Sequence, residues 1–528
     1  MSETDVPVVR LAELLGAVSL ATDLGTGQHR SHGLRTAVLA VALGRELGLD
    51  DAAVAEVRQV ALLRFLGCTA DSSDTAVMTG GDEIAFLAAM APVAMGGPPE
   101  QVVRLVRTVG AGRDPLSRAR LVAGALTDPG GAKRSLSAHC EVAALLAERL
   151  GVSPTVREAL AHGHERWDGA GFPDGLAAEA IPLPVRLAVV ARDADLWWQA
   201  EPSTVPELLR RRRGRAYDPA VADVCATIGA GVLAGLDQGD PWTAVFADDS
   251  SNEIGGDALD TALGALADFA DLKSRWTRGH STRVADLAAA AAEDGAAPGQ
   301  SARLRRAGLV HDLGRVGVPA AIWDRPGPLG VADWERVRLH PYLSERVLAR
   351  CPGLASLGRL AAGHHERLDG SGYHLGSREL DGAQRLLAAA DVVAALGEAR
   401  PHRTATDPAR IPDLAAAEVR AGRLDRLAVD AVLAAAEVRA GRVDRPVAAS
   451  GNPRSHPGRS GWPAGLSDRE VEVLRLITRG RTNREVAATL TLSAKTVGRH
   501  VENIYAKIGV RSRAGAAVFA MRHRLLEP

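Results

Sequence analysis

The chain has 528 residues, a length that predicts about three to five domains. Its 63 lysines and arginines nearly balance 64 aspartates and glutamates, so the overall charge does not indicate a polyanionic partner. Residues 466–528 are different, because they contain 12 basic and 6 acidic residues. The rest of the chain is correspondingly acidic, and only this tail has a charge that suits DNA.

The cysteines and the N-terminus indicate the compartment. Four scattered cysteines form no paired motif, which argues against a disulfide framework or a thiolate zinc site. The first residues lack a basic segment followed by an apolar one, and charges interrupt every long apolar run. We therefore expect a soluble cytoplasmic protein that makes no membrane contact.

Apolar residues recur at helical spacing along most of the chain. Segments such as "TAVLAVALGRELGL" and "AHCEVAALLAERLGV" place them three and four residues apart, with glycine near the expected helix ends. Strand patterns are nearly absent. The sequence predicts an all-α fold.

An internal repeat organises residues 1–445. "RSHGLRTAVLA" from residue 30 matches "RGHSTRVADLA" from 278, and "ALLRFLGC" from 61 matches "GLVHDLGR" from 308. "HERWDGAGFPDG" from 164 matches "HERLDGSGYHLG" from 365. This order predicts two copies of one helical domain, at 1–250 and 251–445. A Pro-, Gly- and Ser-rich linker at 446–465 then leads to a small domain at 466–528.

The second copy gathers side chains that suit divalent metals. They are His280, His311, Asp312, His340, His364, His365 and Asp391. Imidazole and carboxylate together suit iron, manganese, zinc or cobalt. Neighbouring residues on a helix diverge, so the adjacent pairs His311–Asp312 and His364–His365 favour two metals bridged by Asp312. Such a pair of metals can hold a nucleophilic hydroxide and clamp phosphoryl oxygens. Each histidine alone could be an ordinary core or surface residue, but seven in order favour a metal centre.

Residues 278–395 resemble the HD-GYP domain, a subgroup of the HD metal-dependent phosphohydrolases. The matching motifs are "HSTR" at His280, "HDLGR" at His311, "HP" at His340, "HHERLDGSGYH" at His364 and the later Asp391. The resemblance implies an all-α domain that binds two or three metals, often iron or manganese, and hydrolyses cyclic di-GMP. It further implies that one metal is held by His280, His311, Asp312 and Asp391, and the other by Asp312, His340, His364 and His365.

Three positions depart from the family pattern. Arg315 replaces a lysine that reaches a substrate phosphate, and arginine offers a different, bidentate geometry. The GYP triplet reads Gly372-Tyr373-His374, without its proline. Trp276 replaces an acidic residue, which argues against a third metal. The resemblance implies catalytic roles for Asp312 and Arg315, and substrate contacts for Arg315, Gly372 and Tyr373.

The first copy keeps the order of the motifs but lacks several of the side chains that suit a metal. Histidines remain at 32, 139 and 164. Arg64 and Phe65 replace the His–Asp pair, Gly163 replaces one paired histidine, and Arg192 falls where the second copy has Asp391. Without a bridging carboxylate this copy should not hold two cations. We predict a regulatory or dimerising pseudo-domain.

The basic tail strongly resembles the LuxR-type DNA-binding domain. Ser467, Thr482 and Ser493 are placed to cap three of four short helices, the third running to about Ile508. The resemblance implies that the third helix enters the major groove and that the domain binds near-palindromic DNA as a homodimer. The residues placed to meet DNA are Lys495, Thr496, Gly498, Arg499 and Glu502. Arg499 is the candidate for base readout, and Lys495 and Thr496 for phosphate contacts.

These features favour a signalling protein in which a metal-dependent phosphodiesterase is joined to a DNA-binding output. Two alternatives stay open. The metal site could bind a nucleotide without hydrolysing it, or it could hydrolyse another phosphodiester. Arg315 and His374 motivate the first alternative because both alter positions near the expected substrate.

Overall fold

The computed structural model describes residues 8–29, 31–128, 130–247, 252–439 and 461–526. The predicted all-α fold is confirmed for these residues. Their one sheet is a pair of two-residue strands, β1 (Val9–Arg10) and β2 (Glu253–Ile254), which run antiparallel with Val9 opposite Ile254. Residues 446–460 of the predicted linker lie outside the described residues, and the predicted domain boundaries stay predictions.

The helices before residue 275 include the first copy of the repeat. They are α1 (Leu11–Thr26), α2 (His32–Glu46), α3 (Asp51–Leu63), α4 (Ser72–Thr79), α5 (Glu83–Met90), α6 (Pro98–Thr108), α7 (Pro115–Thr127), α8 (Gly131–Arg149), α9 (Pro154–Ala161), α10 (Leu183–Ala200), α11 (Val205–Arg212), α12 (Pro219–Gln238), α13 (Pro241–Val245) and α14 (Gly256–Asp271).

The later helices include the second copy and the basic tail. The second copy has α15 (His280–Ala291), α16 (Ser301–Val310), α17 (Ala320–Trp323), α18 (Val331–Arg338), α19 (His340–Leu348), α20 (Ala355–Ala362), α21 (Gly382–Leu396), α22 (Ile411–Arg420) and α23 (Arg426–Arg439). The tail has α24 (Asp468–Thr478), α25 (Asn483–Leu490), α26 (Ala494–Ile508) and α27 (Arg513–Arg522).

The chain divides into two compact units. The first contains Met1–Ser274 and Asp312–Arg359, and the second contains Arg275–His311 and Leu360–Pro528. In the first unit α2 packs against α3, α10 and α12. In the second unit α15 packs against α16, α21 and α23, which is the same arrangement. Each of these central helices begins at a histidine of the repeat.

The residue before each central helix has the same backbone conformation. Ser31 has φ of 66° and Gly279 has φ of 77°, so both are left-handed. This region is costly for most side chains and easy for glycine. The two copies therefore share the backbone conformation that precedes His32 and His280 and orients them.

A glycine in each copy allows a close backbone approach. A Cβ on Gly67 would lie 1.9 Å from the carbonyl oxygen of His139. A Cβ on Gly314 would lie 2.1 Å from the carbonyl oxygen of His340. Both contacts are impossible for any other residue without moving the backbone. The glycine of the "LG" motif is thus a packing requirement shared by both copies.

One helix among the described residues, α12, is long and apolar enough to cross a membrane by length and composition. The segments Ser72–Thr79 and Glu83–Val93 pass the same test only as a pair, with a bend of 83° between them. Helix α12 packs against α2, α10 and α11 within the first unit. A core helix of a globular domain has this property too, so α12 is weak evidence for a membrane span.

Candidate metal centre and DNA-binding surface

Five of the predicted ligands lie together in the second unit. His280 begins α15, His311 follows the last residue of α16, and Asp391 lies on α21. His364 and His365 lie in the 3₁₀ turn Gly363–His365 after α20. An aspartate capping box fixes the start of α21, because Asp381 and Gln384 each accept a hydrogen bond from the other's backbone N–H.

Asp391 is the carboxylate of this group. Its Oδ1 lies 3.2 Å from His280 Nε2 and 4.0 Å from His311 Nε2. Its Oδ2 lies 3.8 Å from His365 Nδ1. Burial acts to raise the pKa of Asp391, but the hydrogen bond to His280 and the nearby imidazoles outweigh it and hold the pKa well below its usual range. Asp391 is therefore an anion that faces several imidazole nitrogens.

The imidazoles are oriented through their Nδ1 atoms. His311 Nδ1 lies 2.8 Å from the carbonyl oxygen of Gly308, and His364 Nδ1 lies 2.7 Å from that of Ala361. A carbonyl can only accept, so each Nδ1 carries the proton and each Nε2 keeps its lone pair. This is the tautomer that metal-ligating histidines adopt.

Glu398 orients His280 in the same way, and sequence reasoning missed it. Its Oε1 lies 3.0 Å from His280 Nδ1, and Arg283 Nε donates to the same oxygen at 2.9 Å. Burial acts to raise the pKa of Glu398, but His280 and the nearby arginines outweigh it and lower the pKa to about 2. His280 Nε2 lies 3.2 Å from Asp391 Oδ1, a separation that either a proton on Nε2 or a divalent cation can bridge.

The other two predicted ligands lie together in the first unit. His340 Nε2 is 3.4 Å from Asp312 Oδ1, and His340 Nδ1 is 2.6 Å from the carbonyl oxygen of Val337. Burial lowers the pKa of His340 despite the raising effect of Asp312, so the imidazole is neutral near pH 7. The fit to a metal is the same as in the second unit: an oriented neutral imidazole faces a buried carboxylate.

Arg315 lies beside this pair. Its Nη1 is 2.8 Å from Asp312 Oδ2, and its guanidinium carbon is 5.0 Å from the centre of the Trp323 ring. This cation–π contact adds to the ion pair in holding the guanidinium beside Asp312. The arginine that replaces the family's lysine therefore lies against the carboxylate of a predicted ligand.

The loop after His365 holds the two other predicted substrate residues. The Tyr373 ring centre is 4.6 Å from that of His365. A Cβ on Gly372 would lie 2.5 Å from the backbone nitrogen of Arg367, so this glycine is required by packing. The buried carboxylate of Glu366 accepts hydrogen bonds from the backbone of Leu375 and Ser377 at 2.6 and 2.8 Å, which closes the loop. Substrate contact by Gly372 and Tyr373 stays a prediction.

The helices of the basic tail begin as predicted. Ser467 and Thr482 form capping boxes at α24 and α25, and Ser493 caps α26, which ends at Ile508. On α26, Val497 and Ile504 are buried, while the predicted DNA-contacting side chains Lys495, Thr496, Arg499 and Glu502 are exposed. Gly498 is half-buried. One face of α26 thus packs in the domain and the opposite face is open to a groove.

Comparison with known families agrees with both sites. The family described as "HD domain" matches residues 132–221 and 264–426, so it covers parts of both copies. The family "Bacterial regulatory proteins, luxR family" matches residues 464–520. The chain combines the HD-GYP architecture with a LuxR-type DNA-binding domain.

Relatives of known activity share the HD-GYP part. The chain is 29% identical over 407 residues to 3′3′-cGAMP-specific phosphodiesterase 3 of Vibrio cholerae, a match that covers 75% of this chain and 88% of that protein. It is 32% identical over 146 residues to a cyclic di-GMP phosphodiesterase of Thermotoga maritima, covering 27% of this chain and 39% of the relative. A crystal structure of a cyclic GMP-AMP specific phosphodiesterase from V. cholerae matches with a TM-score of 0.56 at 25% identity, covering 82% of this chain and 98% of the other. The HD-GYP part is therefore a phosphohydrolase domain, a class that depends on divalent metals.

In the first HD copy the three remaining histidines have separate partners. His32 Nδ1 is 2.7 Å from Asp195, His139 Nε2 is 2.7 Å from Asp71, and His164 Nδ1 is 3.5 Å from the Cys140 sulfur. His29, His32 and Asp195 are close enough to share a cation. However, Arg35 Nε already donates to Asp195 at 2.6 Å and neutralises it. The prediction that this copy lacks a two-metal centre stays a prediction.

Proposed function

We propose that this HD-GYP protein is a cytoplasmic transcription regulator that hydrolyses a cyclic dinucleotide and transmits its metal or nucleotide state to a LuxR-type DNA-binding domain. The observation that carries the proposal is the orientation of the imidazoles. His280, His311 and His364 each direct Nδ1 to a fixed acceptor, which prepares Nε2 for a cation in a chain that also has a DNA-reading helix.

The seven predicted ligands would hold two divalent metals, with iron or manganese as the proposed ions. Asp312 follows His311 directly in the sequence, which is why we assign it the bridging role. When bound, the metals would supply an acidified water and neutralise charge on the phosphoryl group. Arg315 would bind a phosphoryl oxygen with the guanidinium that its cation–π contact with Trp323 helps to hold in place. Tyr373 and Gly372 would contact the rest of the substrate.

Cyclic di-GMP is the proposed substrate, and 3′3′-cGAMP is the competing one. One relative is a 3′3′-cGAMP-specific phosphodiesterase and another is a cyclic di-GMP phosphodiesterase, so the relatives support both. A second candidate function is a sensor that binds a nucleotide without turnover. The observation that favours it is the ion pair of Arg315 with Asp312 at 2.8 Å, because that pair must rearrange before Arg315 can serve a phosphate.

The test is anaerobic purification of the full chain, metal analysis, and incubation with each cyclic dinucleotide while products are resolved. We expect bound metal and a linear product, and loss of the product in Asp312→Asn. Asp413→Asn, an exposed aspartate on α22, is the matched control and should keep the activity. Metal and bound nucleotide without product would support the sensor instead, and a protein that binds no divalent metal would contradict both.

For the DNA-binding domain we propose that Arg499 reads a base edge and that Lys495 and Thr496 contact phosphates, with Gly498 and Glu502 at the same surface. The side chains of Lys495, Thr496, Arg499 and Glu502 lie on the exposed face of α26. We further propose that the protein binds its operator as a homodimer, since a near-palindromic site requires two copies of α26.

A further inference from the structure

The first HD copy contains two buried arginines where the second copy has metal ligands. In the repeat, Arg64 takes the place of His311 and Arg192 takes the place of Asp391. Arg64 is 5% exposed and Arg192 is 4% exposed. Burying a guanidinium is costly unless it is paired and hydrogen-bonded. Two residues that could bind a metal cation in the second copy are therefore replaced in the first copy by two buried arginines, which are themselves cations.

The hydrogen-bonding capacity of these arginines is not filled. Within the described residues, Nε and Nη1 of Arg64 and Nε of Arg192 are buried and have no hydrogen-bond partner. Buried polar groups are nearly always satisfied, so each exception needs an explanation. Three donors on two neighbouring cations point to an acceptor that carries negative charge.

The protein supplies too little negative charge for this cluster. Asp193 is the nearby carboxylate. It accepts hydrogen bonds from Nη1 of Arg192 and Nη1 of Arg212, each at 2.5 Å, and from the Tyr217 hydroxyl at 2.6 Å. Asp193 thus serves two guanidiniums and a phenol, and Glu100 lies 3.4 Å from Nη2 of Arg212 and of Arg211, so among the described residues neither carboxylate hydrogen-bonds to Arg64. Burial and the repulsion of Arg192 lower the pKa of Arg64 to about 10, which still leaves it charged near pH 7.

The two arginines are arranged around one ring. The guanidinium carbons of Arg64 and Arg192 lie 5.8 and 5.7 Å from the centre of the Phe65 ring. Phe65 stands where the second copy has Asp312. An aromatic face orients guanidiniums without using their N–H groups, so the donors stay available for a ligand.

The first copy also lacks a side chain beside His164. Gly163 occupies the position of His364, and a Cβ placed on it would have its nearest neighbours at 3.4 Å (Leu160 O) and 4.0 Å (Cys140 Sγ), which are ordinary contact distances. An imidazole of the second copy thus has no counterpart at this position of the first. Burial and then Arg64 hold the pKa of His164 well below its usual range, so this neighbour adds no charge of its own.

We propose that the first copy is an oxyanion-binding site in which Arg64 and Arg192 bind a phosphoryl group. The planar guanidinium matches phosphate oxygens in a bidentate fashion, which explains two arginines with open donors in one buried cluster. The phosphoryl group comes from free phosphate or from a nucleotide. The site binds its ligand without hydrolysis, because the ligands of a metal centre have been replaced.

The test uses the full chain stripped of metal with EDTA, so that the second copy cannot hold phosphate through a metal. Inorganic phosphate is titrated while the unfolding temperature is recorded, against chloride at equal ionic strength. We expect a saturable rise in unfolding temperature. Arg64→Leu and Arg192→Leu should each weaken the apparent phosphate affinity at least about tenfold.

One control variant separates this site from other cations. Arg210→Ala removes an exposed arginine of the same copy and should keep the phosphate effect. A second titration with cyclic di-GMP identifies the source. Tighter binding than phosphate that is lost in Arg64→Leu indicates a nucleotide site, whereas phosphate binding alone indicates a free-phosphate site.

The unfolding temperature of the variants distinguishes a ligand-binding role of Arg64 from a purely structural one. If Arg64 exists for a ligand, phosphate-free Arg64→Leu should unfold at a temperature no lower than the wild type, because a buried cation has been replaced by an apolar side chain. Arg64→Lys keeps the charge but lacks the fork, and should bind phosphate more weakly than the wild type. A folded Arg64→Leu protein with an unchanged phosphate response would overturn the proposal, as would a wild type that does not respond to phosphate.

Discussion

Arg524 Nη1 lies 2.8 Å from Asp286 Oδ2, which pairs the LuxR-type domain with the helix that carries a predicted metal ligand. Asp286 lies on α15, which begins at His280. The same buried carboxylate is paired with Arg305 of α16 and, at 3.1 Å, with Arg439 of α23. Helix α15 therefore connects a predicted metal ligand at its first residue to the carboxylate that pairs with Arg524.

We predict that Asp286→Asn lowers the free energy of unfolding by about 1–3 kcal/mol, since three guanidiniums lose their shared anion. The estimate is modest because the arginine side chains remain 32–42% exposed and can be hydrated. Urea unfolding would measure the change, with Asp413→Asn as the exposed control. The same variant should also weaken any effect of cyclic di-GMP on operator affinity. An Asp286→Asn protein with wild-type stability would show that the pairings contribute nothing.

Glu398 is predicted to act as a positioning residue for His280. Replacing it with glutamine keeps the shape but removes the charge that fixes the Nδ1 proton. We expect Glu398→Gln to reduce Mn²⁺ affinity by about 10–100-fold. Calorimetric titration of the metal-stripped protein measures this, and Glu379→Gln, an exposed glutamate in the preceding loop, is the control. Equal Mn²⁺ affinity in Glu398→Gln and the wild type would remove Glu398 from the metal centre.

Arg315 allows a test of why this chain has arginine where the family has lysine. Its Nη1 pairs with Asp312 while its guanidinium carbon lies 5.0 Å from the Trp323 ring centre, and lysine lacks the planar fork of N–H groups that arginine presents. We expect Arg315→Ala to lower kcat/KM by about 10–100-fold, the value of one charge-assisted hydrogen bond. Arg315→Lys should recover part of that loss. If Arg315→Lys instead equals or exceeds the wild type, the planar fork does not serve the substrate.

The predictable parts of this molecule are those that depend on local chemistry. Ser467, Thr482 and Ser493 were predictable as caps because a short hydroxyl side chain just before a helix accepts a hydrogen bond from a backbone N–H of the first turn. The histidines of the candidate centre could be singled out because their order follows a motif, and their role as ligands stays a prediction. The repeat also predicted which positions in the first copy are altered.

The parts that were missed depend on contacts between distant residues. Glu398 lies two residues beyond the end of α21 and 118 positions from His280, in no motif. Asp286 and Arg524 are 238 positions apart, so nothing in either local sequence marks the pair. The open donors of Arg64 could not be predicted because an arginine in a sequence gives no sign of whether it is buried or satisfied.

The four cysteines should be chemically silent in the folded protein. Burial raises the pKa of Cys140 to about 11 and the pKa values of Cys68, Cys225 and Cys351 to about 12. Thiolate is the reactive form, so little of it exists at pH 8, and the labelling rate should rise about tenfold per pH unit above that. Iodoacetamide at pH 8 should label none of them in the native state and all four after denaturation. Rapid native labelling would show that at least one thiol is accessible and ionised.

Base readout and phosphate contact on α26 can be separated by salt dependence. Arg499→Ala should cost about 1–3 kcal/mol on the cognate operator and much less on unrelated DNA, because it removes a contact to one base edge. Lys495→Ala should weaken binding to all sequences alike and lower the salt slope of log K by about one. Fluorescence anisotropy at several salt concentrations measures both, and Arg420→Ala, outside the LuxR-type domain, is the control. If Arg499→Ala changed cognate and unrelated DNA equally, Arg499 would be a phosphate contact and base readout would pass to another residue of α26.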